Sequence, residues 1–233
     1  GVGAMEDITE SRPQDEGANT FYHIIDKAKK IEIPVLEMLG INKILNHDSL
    51  LDKNPAGSFG KLNLMHFGAD SYAGHQEIMG TKPLKPLMTP FKTFIADVKL
   101  ALEKEGYKAE YKDDNKSFLI VNNLVIIADN IETDYGQIYN VSAPLDYISF
   151  EEVLKIGKIV RANVKVNRVI ALGGHDIKFE DIINSIEERE DGLVGVNSPK
   201  SGVYNSGYHV RHLGYGVNPE NQISEILIEE KKK

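Results

Sequence analysis

The chain has 233 residues, 41% hydrophobic and 27% charged, with 20 Gly and 9 Pro; these proportions are ordinary for a globular protein and exclude collagen-like, coiled-coil and wholly disordered chains. Its 27 basic and 35 acidic residues leave a formal charge of −8, which opposes generic attraction to nucleic acid or anionic membranes, so neither is expected as a partner. Cysteine is absent, which removes disulfides, thiolate metal sites and thiol nucleophiles and fits a cytoplasmic protein. The apolar run Leu124 to Ala128 is far too short to cross a bilayer.

In chain order, Thr20 followed by Phe21, Ile24, Ile25 and Ala28 predicts a capped amphipathic helix that Ile33-Pro34 stops. Residues 54–90 are rich in Gly, Pro, Asn and Thr and read as long loops, a kind of segment that often carries function. The Pro- and Lys-rich stretch Thr81 to Pro86 interrupts all periodicity and reads as a linker. Thr89-Pro90 then opens a helix bearing Phe91, Phe94, Ile95, Val98 and Leu102, which Gly106 ends. Short strands are predicted at 107–111, 117–121 and 124–128, with Asp129 at the end of the third. Residues 135–147, which include Tyr139 and Asp146, read as a connection or a binding loop. Ser149-Phe150-Glu151-Glu152 is a capping box, and the strand at 124–128, its helix and a strand at 166–172 predict a βαβ unit. Phe179, Ile182, Ile183 and Ile186 predict one further helix, and Asp191-Gly192 a turn before a short strand at 193–196. Asn218-Pro219 starts a last helix with Ile223, Ile226 and Leu227. Strands alternating with helices make an α/β fold the physical expectation.

Several chemistries are excluded. There is no GxxxxGK[ST] loop or dinucleotide fingerprint, and His75-Gln76-Glu77 lacks the two cysteines that a zinc deaminase needs. His209 and His212 could meet a metal from one helical turn, but Gly207, Gly214 and Gly216 argue for a polar loop there. Ser71, after Asp70 and before Gly74 to Met79, can stand at the mouth of a helix, where backbone N–H groups stabilise a phosphoryl group on its oxygen. Read from the residues alone, Ser71 is more simply an N-cap, and His75 and Glu77 are loop-fixing scaffold before they are catalytic.

Asp70-Ser71-Tyr72-Ala73-Gly74-His75-Gln76-Glu77-Ile78-Met79-Gly80 resembles the nucleophile segment of phosphopentomutases, in which a threonine follows Asp and leads to a Gly-His-Trp-Glu-Ile run. Gly1-Val2-Gly3-Ala4 with Asp7, and Gly17-Ala18-Asn19-Thr20, are similar to that family's opening. Ala128-Asp129-Asn130-Ile131 resembles its substrate strand, and Arg168-Val169-Ile170-Ala171 its Arg-Val-Ile-Ala segment. The resemblance implies a partial alkaline-phosphatase-like core formed by residues 1–81 and 206–233, with an α/β cap domain, residues 82–205, inserted into it. It further implies phosphoryl transfer between C1 and C5 of ribose or deoxyribose phosphate through a phosphorylated Ser71, assisted by two divalent metal ions, manganese in the family's pattern, with Ser71 itself a metal ligand. Asp129 would then accept hydrogen bonds from sugar hydroxyls and Arg168 would grip phosphate or hydroxyl groups.

Three positions depart from the family's pattern: Ser71 stands for Thr, Gln76 for Trp and Leu172 for Arg. Arg211 is the residue that could restore a phosphate grip; otherwise it is a plain surface arginine. The family's first metal-binding Asp belongs before Gly1 and its other ligands after Lys233, so the sequence is expected to be either a piece of a longer isomerase, inactive as it stands, or a noncatalytic binding domain that keeps the mutase-like fold. An uncovered apolar face would then favour self-association.

Overall fold

Alternation of side chains across a strand decides how residues 84–231 are built. The computed structural model describes residues 16–231 apart from 29, 63, 68 and 69, and it divides into two units, residues 1–83 and 84–233. Gly1 to Ala4 and Asp7, the start of the family-like opening, lie outside the described residues.

In the second unit, β1 (Ala109–Tyr111), β2 (Leu119–Val121), β3 (Val125–Asp129), β4 (Ile138–Pro144), β5 (Arg168–Gly174) and β8 (His209–Gly214) form one sheet in the order β1-β2-β3-β4-β5-β8. Only β4 and β5 are parallel; the other neighbours pair antiparallel. Leu119, Val125, Ile127, Tyr139, Val141, Val169 and Ala171 share one core with α5 (Ile95–Lys104) and α6 (Phe150–Asn163). The intervening residues Ile120, Ile126, Ala128, Ile138, Ile170 and Leu172 pack into a second core with Ile182 of α7 (Phe179–Ile183) and Val196 of the hairpin β6 (Ile186–Glu188) to β7 (Val194–Val196). A period of two with both sets buried is the signature of a sheet covered on both faces. The fold is α/β, as the sequence predicts.

Three local expectations change. The βαβ unit is β4, α6 and β5, so residues 138–144, read as connection or binding loop, are instead a central strand whose seven residues are all buried. Asn140 and Ser142, each 2% exposed, interrupt what would otherwise be an apolar run and conceal it. The helix expected to carry Ile186 ends at Ile183, because Ser185 turns back on it: its N–H donates to the Ile182 carbonyl and its hydroxyl to the Asp181 carbonyl. Ile186 then opens the hairpin. Residues 209–214 are the strand β8 and not a polar loop.

Residues 206–233 were expected to belong with the first unit. The register of β8 against β5, from Gly173↔His209 to Arg168↔Gly214, places residues 209–214 in the sheet of the second unit. The closing helix α8 (Ile223–Lys231) buries none of its residues.

The first unit is made differently. It has the short helices α1 (Thr20–Ala28), α2 (Pro34–Met38), α3 (Ile41–Leu45) and α4 (Ser71–Ile78), and its buried hydrophobic residues among those described are Ile25 and Leu50. Polar side chains hold its loops: Glu37 accepts from the Leu51 N–H at 3.1 Å and from Lys53 Nζ at 3.2 Å, and Asn42 accepts from the His47 N–H at 2.8 Å. The Leu51 bond comes first among the causes that hold the Glu37 carboxyl below its usual range.

Candidate functional site

Asp70, not Ser71, caps α4. Its backbone is extended and its carboxylate accepts from the Tyr72 N–H at 3.0 Å, which satisfies one of the donors that a helix start leaves unpaired. Asp70 is buried and Ser71, the first helical residue, is exposed. The residue ahead of the hydroxyl takes the capping role at α1 as well, where Asn19 Oδ1 accepts from the Tyr22 N–H and Thr20 is the first helical residue. Ser71 therefore presents its hydroxyl at the positive end of an eight-residue helix without being used as the cap.

The neighbouring side chains build the platform. Glu77 accepts from the Met65 N–H at 2.9 Å, from the His66 N–H at 3.3 Å and pairs with His66 Nδ1 at 2.8 Å, tying the preceding loop to α4. The His75 ring bonds back to the Ser71 carbonyl. Both side chains make the loop-fixing bonds that the scaffold reading expects.

Asp129 and Arg168 occupy the other unit. Asp129 is 2% exposed; its Oδ1 accepts from the Phe91 N–H at 2.7 Å and its Oδ2 from the Val194 N–H at 3.2 Å. Burial raises its pKa to about 6 against these two bonds, which lower it. The carboxylate thus joins the end of β3 to the start of the α5 region and to the hairpin. A side chain at Gly195 would strike the Asp129 carbonyl, so this approach requires glycine. Arg168 donates from Nη1 to His212 Nδ1 at 3.2 Å. In register, Asp129 faces Tyr139 of β4, and Arg168 faces Ile138. Both residues therefore lie at the amino end of the parallel pair. Ligands of α/β sheets bind beyond the carboxyl ends of parallel strands; β3 runs antiparallel to β4, so its own carboxyl end is at the wrong edge.

At the carboxyl ends of β4 and β5 the structure assembles a group that the sequence reading did not bring together. Asp146, two residues past β4, accepts from or pairs with His175 Nδ1 at 2.7 Å through Oδ1 and accepts from the Asp176 N–H at 2.7 Å through Oδ2. The His175 bond, then the Asp176 bond, lower the Asp146 pKa. The His209 ring lies 6.3 Å from the His175 ring and 5.4 Å from that of Phe150, the first residue of α6. Gly207 holds a positive φ of 50° and leaves the space that the His175 ring fills. The His175 N–H donates to the Ser206 carbonyl at 2.8 Å. The separation of 29 positions between Asp146 and His175 hides this group from a reading by spacing. Its available signal was the pair of polar residues His175-Asp176 directly after the apolar strand and Gly173-Gly174.

His209 and His212, three apart on a strand, fall on opposite faces of the sheet, so they do not form the one-turn metal pair. Arg211 is exposed on the same strand. Among the described residues no group of three or more His, Asp or Glu side chains could hold a metal ion; the donor set present does not fit the expected pair of cations. No helix is long and apolar enough to cross a membrane among the described residues.

The described residues thus hold an α/β unit with a polar group beyond two parallel strands, and a separate hydroxyl at a helix start. The chain is 32% identical over 184 residues to a phosphopentomutase of Clostridium kluyveri, an alignment covering 73% of this chain and 46% of that protein. It is 26% identical over 180 residues to a phosphopentomutase of Alkaliphilus metalliredigens, covering 76% and 45%, and 37% identical over 95 residues to one of Agathobacter rectalis, covering 40% and 22%. No family model matches the chain. The chain is a distant relative of phosphopentomutases and spans about half the length of the first two.

Proposed function

We propose that this chain contributes the phosphoryl-carrying hydroxyl and a substrate-holding domain to a phosphopentomutase-like isomerase acting on a pentose phosphate. The observation that carries the reading is Ser71: an exposed hydroxyl on the first residue of α4, with the capping duty taken by Asp70. The helix start favours the negative charge of a phosphoryl group on that oxygen. Glu77 and His75 fix the backbone of the segment that carries it.

On the sugar side the geometry favours Asp146 and His175 over Asp129 and Arg168. Asp129 has both carboxylate oxygens committed to buried N–H groups, whereas Asp146 and His175 are about two-fifths exposed at the ligand-binding end of the sheet. Two divalent ions, manganese in the family's pattern, would neutralise phosphate charge and favour the ionised hydroxyl when bound; their ligands, Ser71 apart, would come from outside the described residues. Self-association belongs to the same proposal. The exposed Ile223, Ile226 and Leu227 on α8 support it, and sedimentation of the chain at rising concentration tests it.

The alternative is a noncatalytic binding domain; among the described residues no group of three or more His, Asp or Glu side chains could hold a metal ion. One experiment separates the two: exposure of the full-length protein to a pentose 1,5-bisphosphate and Mn²⁺, with mass spectrometry of the Ser71 peptide and mutase assays of wild type and Ser71→Ala. The mutase reading expects phosphoserine at position 71 and a loss of about 10³-fold or more in turnover in the variant. Unchanged turnover in Ser71→Ala removes that residue from the reaction.

A further inference from the structure

An almost buried imidazole packs on α4 and takes no part in the steps above. The His66 side chain is 7% exposed, and its Nδ1 stands 2.8 Å from Glu77 Oε2. A carboxylate accepts, so Nδ1 is the donor and the neutral ring keeps a bare lone pair on Nε2. Glu77 is anchored in turn, because Oε1 takes the Met65 N–H and Oε2 also takes the His66 N–H. One tautomer of the ring is thus favoured by a carboxylate that two backbone groups hold in place.

The ring's place on the helix gives Nε2 its direction. His66 meets Gly74 edge-on: a Cβ at position 74 would lie 3.2 Å from Cε1, 3.7 Å from Nε2 and 3.8 Å from Nδ1. The two nitrogens flank Cε1 and face opposite sides of the ring. With Nδ1 turned to Glu77, near the end of α4, Nε2 is turned back towards the turn that opens with Ser71. Positions 71, 74 and 77 succeed one another at a spacing of three on this helix, and such neighbours are about 5–6 Å apart at Cβ. An imidazole standing over Gly74 covers that span. Asp70, at the same end, spends its Oδ1 on the Tyr72 N–H.

We propose that His66 is the general base for Ser71, with Glu77 as its positioning residue. The proposal rests on the reading of Ser71 as the phosphoryl-carrying hydroxyl and deepens it, since a serine hydroxyl is a weak nucleophile until a base takes its proton. As Ser71 Oγ bonds to phosphorus, the bond from phosphorus to the sugar oxygen breaks and the Ser71 proton passes to His66 Nε2. The departing sugar oxygen takes a proton from solvent, and His66 afterwards returns its own to solvent. The bond from the Ser71 hydroxyl to Nε2 closes by rotation of the serine side chain as substrate binds; catalytic hydrogen bonds are commonly loose in a free enzyme.

The test uses the intact chain, with cations chelated, and a fluorophosphonate probe, whose phosphorus bonds to an activated serine oxygen as fluoride leaves. Peptide mass spectrometry should place the adduct on Ser71, and His66→Gln should slow its formation by about 10²–10⁴-fold. Added imidazole should accelerate labelling of His66→Ala, a rescue that a purely structural histidine does not give. Nitrogen-15 NMR of the wild-type ring should show Nδ1 protonated and Nε2 bare in the neutral form. Amide spectra matching the wild type establish that the variants are folded, and the ring spectrum needs no variant. Absence of a Ser71 adduct, an unchanged rate in His66→Gln, or a neutral ring protonated at Nε2 and donating to Asp70 would overturn the proposal. The mutase reading is judged apart from it, by phosphoserine and turnover in the full-length protein. A His66-dependent adduct without mutase turnover sinks that reading alone; Ser71 phosphorylation by the bisphosphate at an undiminished rate in His66→Gln sinks this one alone.

Discussion

The two units solve the same problem with different means. Residues 84–233 bury a sheet on both faces, with Leu119, Ile126, Ile127 and Tyr139 essentially inaccessible. In residues 16–83 the described buried hydrophobic residues are Ile25 and Leu50, while Glu37, His47, Asp70 and Thr81 are buried polar ones. Hydrophobic burial is roughly additive in area and involves no titrating group; hydrogen-bonded carboxylates and imidazoles respond to pH. The contrast teaches that the sheet is a frame, and that the segment presenting Ser71 is held by a few replaceable polar contacts.

Core truncation gives the largest effect. Ile127→Ala, inside the sheet, should destabilise by about 2–5 kcal/mol, whereas Ile78→Ala at the 74% exposed end of α4 should stay within about 0.5 kcal/mol. Urea titrations of both variants, followed by far-UV circular dichroism, make the comparison. Equal losses at the two positions would break the distinction between a two-sided core and a polar-stapled segment.

The pH dependence of the frame is the next largest effect and has an unusual sign. Asp129 has its pKa raised by burial to about 6 from 3.8. Its contribution to stability is complete below the unfolded value and is lost as pH rises through the folded one, between about pH 4 and 6. A shift of about two units corresponds to at most about 3 kcal/mol. Most other shifted carboxyls, among them Glu37, Asp146, Glu152 and Glu187, are held low and lose stability as pH falls. The measurement is therefore a difference: urea midpoints of wild type and Asp129→Asn at pH 4, 5, 6 and 7. Wild type should lose ground to the variant between about pH 4 and 6, and the difference should level off towards pH 7. A flat difference would mean that the carboxylate is not desolvated as the structure has it.

What could be read from the sequence follows the same division. The helix that ends before Gly106, the N-cap at Ser149 and the turn at Asp191-Gly192 were legible because each depends on neighbours within a few residues: Ser149 Oγ accepts from the Glu152 N–H, and Phe91, Ile95, Val98 and Leu102 recur at helical spacing and are all buried. β4 was not legible, since Asn140 and Ser142 look like surface residues until the sheet encloses them. The Ser71 segment was found by resemblance, but its cap was assigned one residue too far along, because Asp and Ser are nearly equal as caps and only the backbone decides between them. The Asp146–His175 pair depends on β4 and β5 being parallel neighbours, a fact of topology that no local pattern carries.

The smallest effects test the helix start itself. Asp70→Ala removes the acceptor of the Tyr72 N–H and should cost about 1 kcal/mol, with faster amide exchange confined to the first turn of α4 and the loop it holds. Ser71→Ala removes a hydroxyl from an exposed position that does not serve as the cap, so stability and exchange should stay within about 0.5 kcal/mol of wild type. The order matters more than either value. A residue kept for the fold is expensive to remove, and a residue kept to receive a phosphoryl group is cheap for the fold and costly for turnover. If Ser71→Ala proved the more destabilising of the two, the hydroxyl would be acting as the cap and its availability for phosphoryl transfer would be lost with that finding.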